Sequence, residues 1–358
     1  MKKIISVFLA FVLLFTLSTF ASAENPLEIS AKSAVVISAD TCEVVYSKNM
    51  NEQLPMASTT KIMSSIIALE YGAVDEMQKV TTDMIAVEGS SIGLLDGDEI
   101  SLKTLVKGML LESGNDAANA VAHIVGGSIP GFVKMMNDKA KEIGMYSTSF
   151  ETPSGLDGEN HYSTAFDMAV LGAYAIKNPE FKSICEDEDD VVYYGNPPYR
   201  RVFTNHNKLL ELYEGAFGIK TGFTKKSGRC LVSAVCKDGK TLVAVTLNAP
   251  DDWNDHIKMY DYAFEKVNSY DLIEDFSEIK LKIVGGTKSY IDIEMLTVPQ
   301  YTTVDSFEYI DKIYIKQFEY APVYKGDVVG KIEFYHNNIK ISEVPLCASE
   351  TIEIDSNK

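Results

Sequence analysis

The spacing of apolar residues predicts short strands that alternate with amphipathic helices up to about residue 268. Two β-type runs, 34–38 and 43–47, lie on either side of a polar turn around Asp40 and predict a strand pair that opens a sheet. A helical period with one apolar face follows at Ile62, Met63, Ile66, Ile67 and Leu69. This helix is predicted to hold Ser58 in its first turn and to end near Gly72, a typical stop residue.

Two helices with a polar break between them come next. Apolar residues 102–110 predict a helix capped by Ser101. The pattern breaks at the polar sequence 112–116 and resumes as a helix over 117–125. Such a turn can direct its side chains into a cleft, although Ser113 or Asn115 could instead cap the second helix by bonding its backbone N–H groups.

The third part of this region combines a helix with a hairpin. Residues 163–176 predict a helix. Two β-rich runs, 230–236 and 241–247, surround an Asp-Gly turn and predict a hairpin, with 220–224 as an adjacent strand. A helix is predicted from Asp252 to about Asn268.

The pattern then changes to short β-type runs with little helical period, from about Phe276 to Ile354. We therefore predict an α+β domain over residues 24–270 and a separate small all-β domain over residues 276–358. Residues 1–23 combine a basic start, an apolar run and an Ala-Ser-Ala site, as a secretory signal peptide does. The alternative is an uncleaved anchor helix, for which the apolar run is short. The sequence thus predicts a protein secreted across the cytoplasmic membrane into the cell envelope.

Charge and residue counts narrow the classes of function. The net charge is −18, and it becomes −20 without Lys2 and Lys3 of the signal segment, which argues against binding to nucleic acid. The five cysteines are spaced irregularly and predict no disulfide framework. The five histidines form no close zinc-binding pair, so no metal or other cofactor is expected.

Ser58 and Lys61 form a candidate catalytic pair. Residues three apart on a helix share a face, so Lys61 Nζ can reach the Ser58 hydroxyl, and a lysine kept neutral by burial or a nearby positive charge can activate it as a base. The same S-x-x-K spacing occurs at Ser277 and Lys280. That second pair lies at a predicted strand start, where residues three apart point to opposite faces.

Two more motifs follow Ser58-x-x-Lys61 in order: Ser113-Gly114-Asn115 and Lys220-Thr221-Gly222. Together they match the S-x-x-K, S-x-N and K-T-G motifs of penicillin-recognising serine enzymes. Over residues 29–268, and more loosely in the β region, the chain resembles the low-molecular-mass penicillin-binding proteins of the D-alanyl-D-alanine carboxypeptidase family (serine peptidase family S11).

The resemblance implies a serine β-lactamase/transpeptidase-like domain, an antiparallel sheet flanked by helices, followed by a β-sandwich-like domain. It implies removal of the terminal D-alanine from peptidoglycan stem pentapeptides, with β-lactam antibiotics as covalent inhibitors and a part in cell wall biogenesis and cell shape. The implied roles are nucleophile for Ser58, acylation base for Lys61, proton relay to the leaving amine for Ser113, and binding of the substrate amide for Asn115. Lys220 would face them as a positive charge. Thr221, Gly222 and Phe223 belong to the substrate strand, with the N–H groups of Ser58 and Phe223 as the oxyanion hole.

The substrate carboxylate leaves alternatives open. Thr221 is the first candidate, and relatives commonly carry an arginine where we align His256. His256 is therefore a candidate substrate contact, with a surface histidine as the alternative, and Arg229 or Lys220 could contribute to carboxylate binding. Endopeptidase or transpeptidase side activity, and a vegetative or a sporulation role, remain open.

Two rival functions fit parts of this pattern. A class A β-lactamase would carry an E-x-x-L-N sequence between Ser113 and Lys220, and none occurs there. A catalytically silent peptidoglycan-binding protein would be free to lose the motif residues, which are all present. The end of the chain, 350–358, is acidic and alternating, so no C-terminal membrane helix is evident.

Overall fold

The structure, a computed structural model, describes residues 27–304 and 307–356. The predicted signal segment lies outside the described residues. Within these ranges, no helix has both the length and the apolar character needed to cross a membrane.

Helices lie between residues 61 and 264 of the described chain. They are α1 (Lys61–Tyr71), α2 (Thr82–Ile85), α3 (Leu102–Leu110), α4 (Asn115–Gly126), α5 (Ile129–Glu142), α6 (Ala165–Ala175), α7 (Pro179–Glu186), α8 (Leu209–Leu212) and α9 (Asp252–Phe264).

Strands occur in both the N-terminal and the C-terminal regions of the described chain. They are β1 (Ser33–Ser38), β2 (Val44–Lys48), β3 (Met77–Lys79), β4 (Glu99–Ser101), β5 (Asp189–Tyr194), β6 (Tyr199–Thr204), β7 (Ala216–Thr224), β8 (Gly228–Lys237), β9 (Lys240–Leu247), β10 (Asn268–Asp271), β11 (Lys280–Val284), β12 (Tyr290–Met295), β13 (Gln300–Thr303), β14 (Ile310–Ile315), β15 (Glu319–Tyr320), β16 (Val328–His336) and β17 (Ile339–Ala348).

An antiparallel sheet in the order β2-β1-β9-β8-β7 forms the centre of the first region. Successive side chains of a strand point to opposite faces. Accordingly, Val35 and Ile37 of β1 join the apolar cluster that contains α1, whereas Val36 joins the cluster that contains Met259 and Tyr260 of α9. Helices thus cover both faces of the sheet, which confirms the predicted α+β class.

The strand pair, the hairpin and most predicted helices are present with shifts of a few residues. Ser101 caps α3, where its hydroxyl accepts a hydrogen bond from Thr104 N. The last helix, α9, is shorter than predicted, because the chain enters strand β10 at Asn268. The hairpin of β5 and β6 was not predicted from the sequence.

The turn that carries Ser58 differs from the prediction. Ser58 lies in a 3-10 turn, Ala57–Thr60, and the α-helix begins only at Lys61. Ala57 has a positive φ of 48°, and Thr59 Oγ1 donates to Met56 O at 2.6 Å, so the chain enters the helix through a tight, side-chain-braced bend. The residues of α1 from Lys61 to Leu69 are buried, which makes α1 a central helix.

The C-terminal region is all β, as predicted. Its main sheet has the strand order β14-β16-β17-β12-β11-β15 and its own apolar cluster around Ile332, Phe334 and Leu346. Strands β10 and β13 form a separate pair. Thr302 of β13 connects the two regions, because its carbonyl accepts from Ser38 Oγ at 2.6 Å and its N–H donates to Asp40 Oδ2 at 3.1 Å.

Candidate active site

The side chain of Lys61 is fully buried and points to Ser58. Lys61 Nζ lies 2.9 Å from Ser58 Oγ, 2.8 Å from Asn115 Oδ1 and 2.7 Å from Ser154 O. The two carbonyl oxygens can only accept, so they take two N–H bonds of Lys61. A neutral amine then has its lone pair left for the third neighbour, the Ser58 hydroxyl.

Two effects favour this neutral amine. Burial lowers the pKa of Lys61 well below its usual value, and the positive charge of Lys220 lowers it further, whereas the charge of Asp116 opposes the shift. Both favourable effects penalise the ammonium form. In its neutral form, Lys61 can accept the Ser58 proton.

Lys220 comes from strand β7 and is 1% exposed. Its Nζ has no hydrogen-bond partner among the described residues. Burial lowers the pKa of Lys220 to about 8, against the opposing charges of Cys185 and Glu112. Below that pH its ammonium group is a buried positive charge that acts on Lys61.

The turn between α3 and α4 brings Ser113 and Asn115 to the site. Ser113 has a positive φ of 62°, a conformation that non-glycine residues seldom adopt, and its side chain lines the cleft. Asn115 Oδ1 accepts from Lys61, and Asn115 Nδ2 donates to Glu88 O at 2.7 Å. In this structure, Asn115 thus orients the candidate base.

Strand β7 places Thr221, Gly222 and Phe223 along the cleft. A Cβ at position 222 would lie 3.0 Å from both Ser58 N and Thr59 N. Glycine at this position therefore lets the strand approach the backbone of the serine turn closely. Phe223 is 65% exposed at the cleft.

The cleft over Ser58 has a volume of about 390 Å³. Serine, cationic and aromatic side chains predominate in its lining, which consists of Ser58, Ser90, Ser113, His206, Lys208, Thr221, Gly222, Phe223, Arg229, Asp252 and Trp253. In residues 27–304 and 307–356, His, Cys, Asp and Glu side chains form no group of three that could hold a metal ion.

Arg229 lines the cleft, and neighbouring side chains hold its guanidinium group in place. Its Nη2 and Nε lie 2.7 Å and 2.9 Å from Asp252 Oδ1, and its guanidinium carbon is 5.5 Å from the centre of the Trp253 ring. Its side chain is still 42% exposed. Ion pairing and cation–π contact hold the group in place while leaving donors available to a ligand.

The structure does not bring His256 to the cleft, which corrects the expectation that it contacts substrate. His256 is fully buried between the sheet and α9, with Nδ1 2.7 Å from Ser233 Oγ and Nε2 3.0 Å from Thr246 Oγ1. Burial lowers the pKa of His256 to about 3, so the ring is neutral. The position that we aligned with an arginine of relatives faces the core here.

The Ser154 carbonyl that contacts Lys61 lies in a loop to which the sequence analysis gave no catalytic role. Ser64 Oγ donates to Pro153 O at 2.6 Å, next to the Ser154 carbonyl. Gly155 has a φ of 89°, and a Cβ there would lie 1.9 Å from Ala57 O. The loop is therefore packed directly on the serine turn, and only glycine fits at the contact.

His161 connects the same loop to the serine turn through hydrogen bonds. Its Nδ1 accepts from Glu151 N at 2.9 Å, so the proton of the neutral ring is on Nε2, which lies 2.9 Å from Thr60 Oγ1. Burial lowers the pKa of His161 to about 4, which keeps this form near neutral pH. The sequence did not single out this residue, because its histidines were interpreted as metal ligands or, at His256, as a substrate contact.

Asp116 fixes the segment that follows Ser90 through hydrogen bonds to its carboxylate. Its carboxylate accepts from Ser91 Oγ and from the backbone N–H groups of Ile92, Gly93, Leu94 and Ala117. Asn115 N donates to Ser90 O at 2.7 Å. The segment that contributes Ser90 to the cleft is therefore fixed by the residues that directly follow Ser113.

The site has the parts needed for acyl transfer: a serine, a buried amine that can take its proton, a second hydroxyl, and buried positive charge. This site at the edge of a helix-flanked antiparallel sheet defines a penicillin-recognising serine hydrolase. Residues 19–251 match the D-alanyl-D-alanine carboxypeptidase family, peptidase family S11. Residues 300–354 match the C-terminal domain of penicillin-binding protein 5. The chain belongs to the D-alanyl-D-alanine carboxypeptidase family, whose members are serine hydrolases.

Relatives match over nearly the whole chain. D-alanyl-D-alanine carboxypeptidase DacF of Bacillus subtilis is 33% identical over 99% of this chain and 95% of its own length. DacC of Escherichia coli is 31% identical, over 96% of this chain and 90% of its own length. The crystal structure of the carboxypeptidase DacD from Francisella tularensis is 26% identical with a TM-score of 0.65, covering 92% of this chain and 95% of that one. The family assignment therefore includes the C-terminal β region.

Proposed function

We propose that the chain removes the terminal D-alanine of peptidoglycan stem pentapeptides through an acyl-enzyme on Ser58. Ser58 Oγ attacks the carbonyl carbon between the two D-alanines while Lys61 Nζ accepts its proton. The N–H groups of Ser58 and Phe223 stabilise the oxyanion. Ser113 relays a proton to the departing amine, the peptide C–N bond breaks, and water then hydrolyses the ester to free Ser58.

The placement of Lys61 carries this proposal. The amine is fully buried, two of its contacts are carbonyl oxygens that can only accept, and its third contact is Ser58 Oγ at 2.9 Å. A buried ammonium group without a carboxylate partner is costly, so the environment favours the neutral base that acylation needs.

We further propose that Thr221 and Arg229 bind the substrate's terminal carboxylate. Both line the cleft with Ser58. Arg229 is held by Asp252 and Trp253 and presents a half-exposed guanidinium, the group best suited to bidentate carboxylate binding. The buried ammonium group of Lys220 adds positive charge near Lys61. Arg229 would thus take the role that the sequence comparison had given to His256.

The proposed setting is extracytoplasmic. Its support is the signal-type sequence of residues 1–23, together with a family whose substrate is peptidoglycan. β-Lactam antibiotics would acylate Ser58 as covalent inhibitors. N-terminal mass spectrometry of the protein secreted by the native host would test whether cleavage follows Ala23; a retained N-terminus would mean an anchored protein.

The direct test is labelling with fluorescent penicillin, combined with release of D-alanine from a stem pentapeptide. We expect both activities in the wild type and neither in Ser58→Ala. Ser277→Ala is the matched control, since it removes the other S-x-x-K serine and should change nothing. Folded protein without either activity would refute the proposal. Rapid release of hydrolysed penicillin would instead favour the β-lactamase alternative.

A further inference from the structure

Glu112 directly precedes Ser113, and its side chain extends to the end of strand β6. Glu112 Oε1 accepts from Thr204 N at 2.7 Å, and Glu112 Oε2 lies 3.8 Å from His206 Nε2. Ser113 has a positive φ of 62°, a conformation that persists only where surrounding contacts maintain it. The hydrogen bond from Thr204 N is such a contact, because it connects the residue before Ser113 to a strand.

The end of β6 is itself fixed to neighbouring elements. Asn205 Nδ2 donates to the carbonyl oxygens of Cys185 and Asp187, at 3.2 Å and 3.0 Å. Asp190, in the same β5–β6 hairpin, forms an ion pair with Lys107 in the last turn of α3. Glu112 therefore accepts its hydrogen bond from a strand end that is attached to α3 and α7.

The same elements lie beside Lys220. Cys185 of α7 packs against β7 close to Lys220, since a Cβ at Gly218 would lie 2.9 Å from Cys185 Cβ. Burial raises the pKa of the Cys185 thiol, so the thiol stays uncharged. Among the described residues, the negative charge that acts on Lys220 is therefore that of Glu112, while Lys220 in turn acts on Lys61.

The charge of Lys220 depends on groups that do not touch it. Lys220 Nζ is buried and has no hydrogen-bond partner among the described residues. A buried ammonium group without a partner loses its hydration and is stabilised only by opposite charge at longer range. Glu112 thus stabilises the ammonium form of Lys220. Because that ammonium group disfavours a second positive charge on Lys61, Glu112 also favours the neutral base.

We propose that Glu112 is a positioning residue for acylation: it holds the Ser113 turn on β6 and supplies the negative charge that keeps Lys220 protonated. This inference rests on the proposed function, in which Ser113 relays a proton and Lys61 is the base. The two roles of Glu112 can be separated by substitution. Glutamine keeps an acceptor oxygen for Thr204 N but has no charge, whereas alanine removes both.

The test measures the rate of acylation by fluorescent penicillin at pH 7 and pH 9. Without the carboxylate, Lys220 loses its proton at a lower pH. Glu112→Gln should therefore lower the ratio of the rates at pH 9 and pH 7 by about twofold to fivefold, as for partly exposed charge pairs. Glu188→Gln is the matched control, because it removes an exposed acid just before β5 that does not act on Lys220, and it should keep the wild-type ratio.

Two further variants test each role by itself. Glu112→Ala should also lower the rate at pH 7, by about tenfold to 10²-fold, because the Ser113 turn loses its bond to Thr204 N. In the Lys220→Arg background, whose guanidinium stays charged, Glu112→Gln should leave the ratio unchanged. Folded Glu112→Gln with the same ratio as Glu188→Gln would overturn the inference. Acylation by penicillin without D-alanine release from a stem pentapeptide would instead contradict the proposed function.

Discussion

Replacement of Lys61 by arginine separates its role as a base from its role as a hydrogen-bond donor. Arginine keeps N–H donors for Asn115 Oδ1 and Ser154 O, but its guanidinium stays protonated and cannot accept the Ser58 proton. Loss of a general base slows reactions by about 10²- to 10⁴-fold. We therefore expect penicillin acylation to lose about 3–5.5 kcal/mol of transition-state stabilisation, at about 1.4 kcal/mol per tenfold.

Lys61→Ala provides the contrast. It removes the base and also leaves two buried carbonyl oxygens without a donor, at about 1–3 kcal/mol each. Acylation should fall as in the arginine variant, whereas the thermal midpoint should fall further. Stopped-flow acylation and thermal melts on the same samples measure both effects. An arginine variant that is folded and acylates within about tenfold of wild type would show that another group is the base.

Three further predictions concern pH and binding. D-Alanine release should show kcat/KM falling above about pH 8, because Lys220 loses its charge there; Lys220→Arg should shift this limb upwards. Arg229→Gln should raise KM for the pentapeptide about tenfold with a smaller change in kcat, because it removes binding common to substrate and transition state. The unfolding free energy should fall by a few kcal/mol from pH 6.5 towards pH 4, because His161 and His256, with pKa values of about 4 and about 3 when folded, stay neutral in the fold but protonate when unfolded.

Each of these three predictions can be contradicted by a specific result. A flat profile above pH 8 in the wild type would show that the charge of Lys220 is not needed in that range. An Arg229→Lys variant that binds as poorly as Arg229→Gln is compatible with bidentate binding, whereas unchanged KM in both would remove Arg229 from the carboxylate site. For the acid effect, His256→Asn should have a weaker dependence of the urea midpoint on pH than wild type, and an unchanged dependence would assign the loss to other groups.

The sequence predicted the parts of the site that are encoded by short-range spacing. Ser58 and Lys61 lie three residues apart, and any compact turn at that position brings them together, whether it is a 3-10 turn or the predicted helix. The order of the three motifs added Ser113 and Lys220, which come from a turn and a strand. The α+β class followed from periodicity, because buried strands and one-faced helices have different apolar repeats.

What the sequence could not give depends on contacts between distant segments. The direction of His256 is decided by how α9 packs on the sheet, and a single sequence does not record that rotation. Ser154 contributes a backbone carbonyl, which no side-chain pattern encodes. The hairpin of β5 and β6 was missed because its buried residues, Val192, Tyr194 and Phe203, are few and lie among polar and charged residues such as Arg200 and Arg201.

The serine turn is held between two glycine contacts, Gly155 against Ala57 O and Gly222 against Ser58 N. This arrangement limits the routes by which resistance to β-lactams could arise. A substitution at either glycine would displace the turn itself, and with it the attack on the natural substrate as well as on the drug. Variants that keep the enzyme working while excluding an inhibitor should instead accumulate at the cleft's outer rim, where the side chain of Phe223 is exposed.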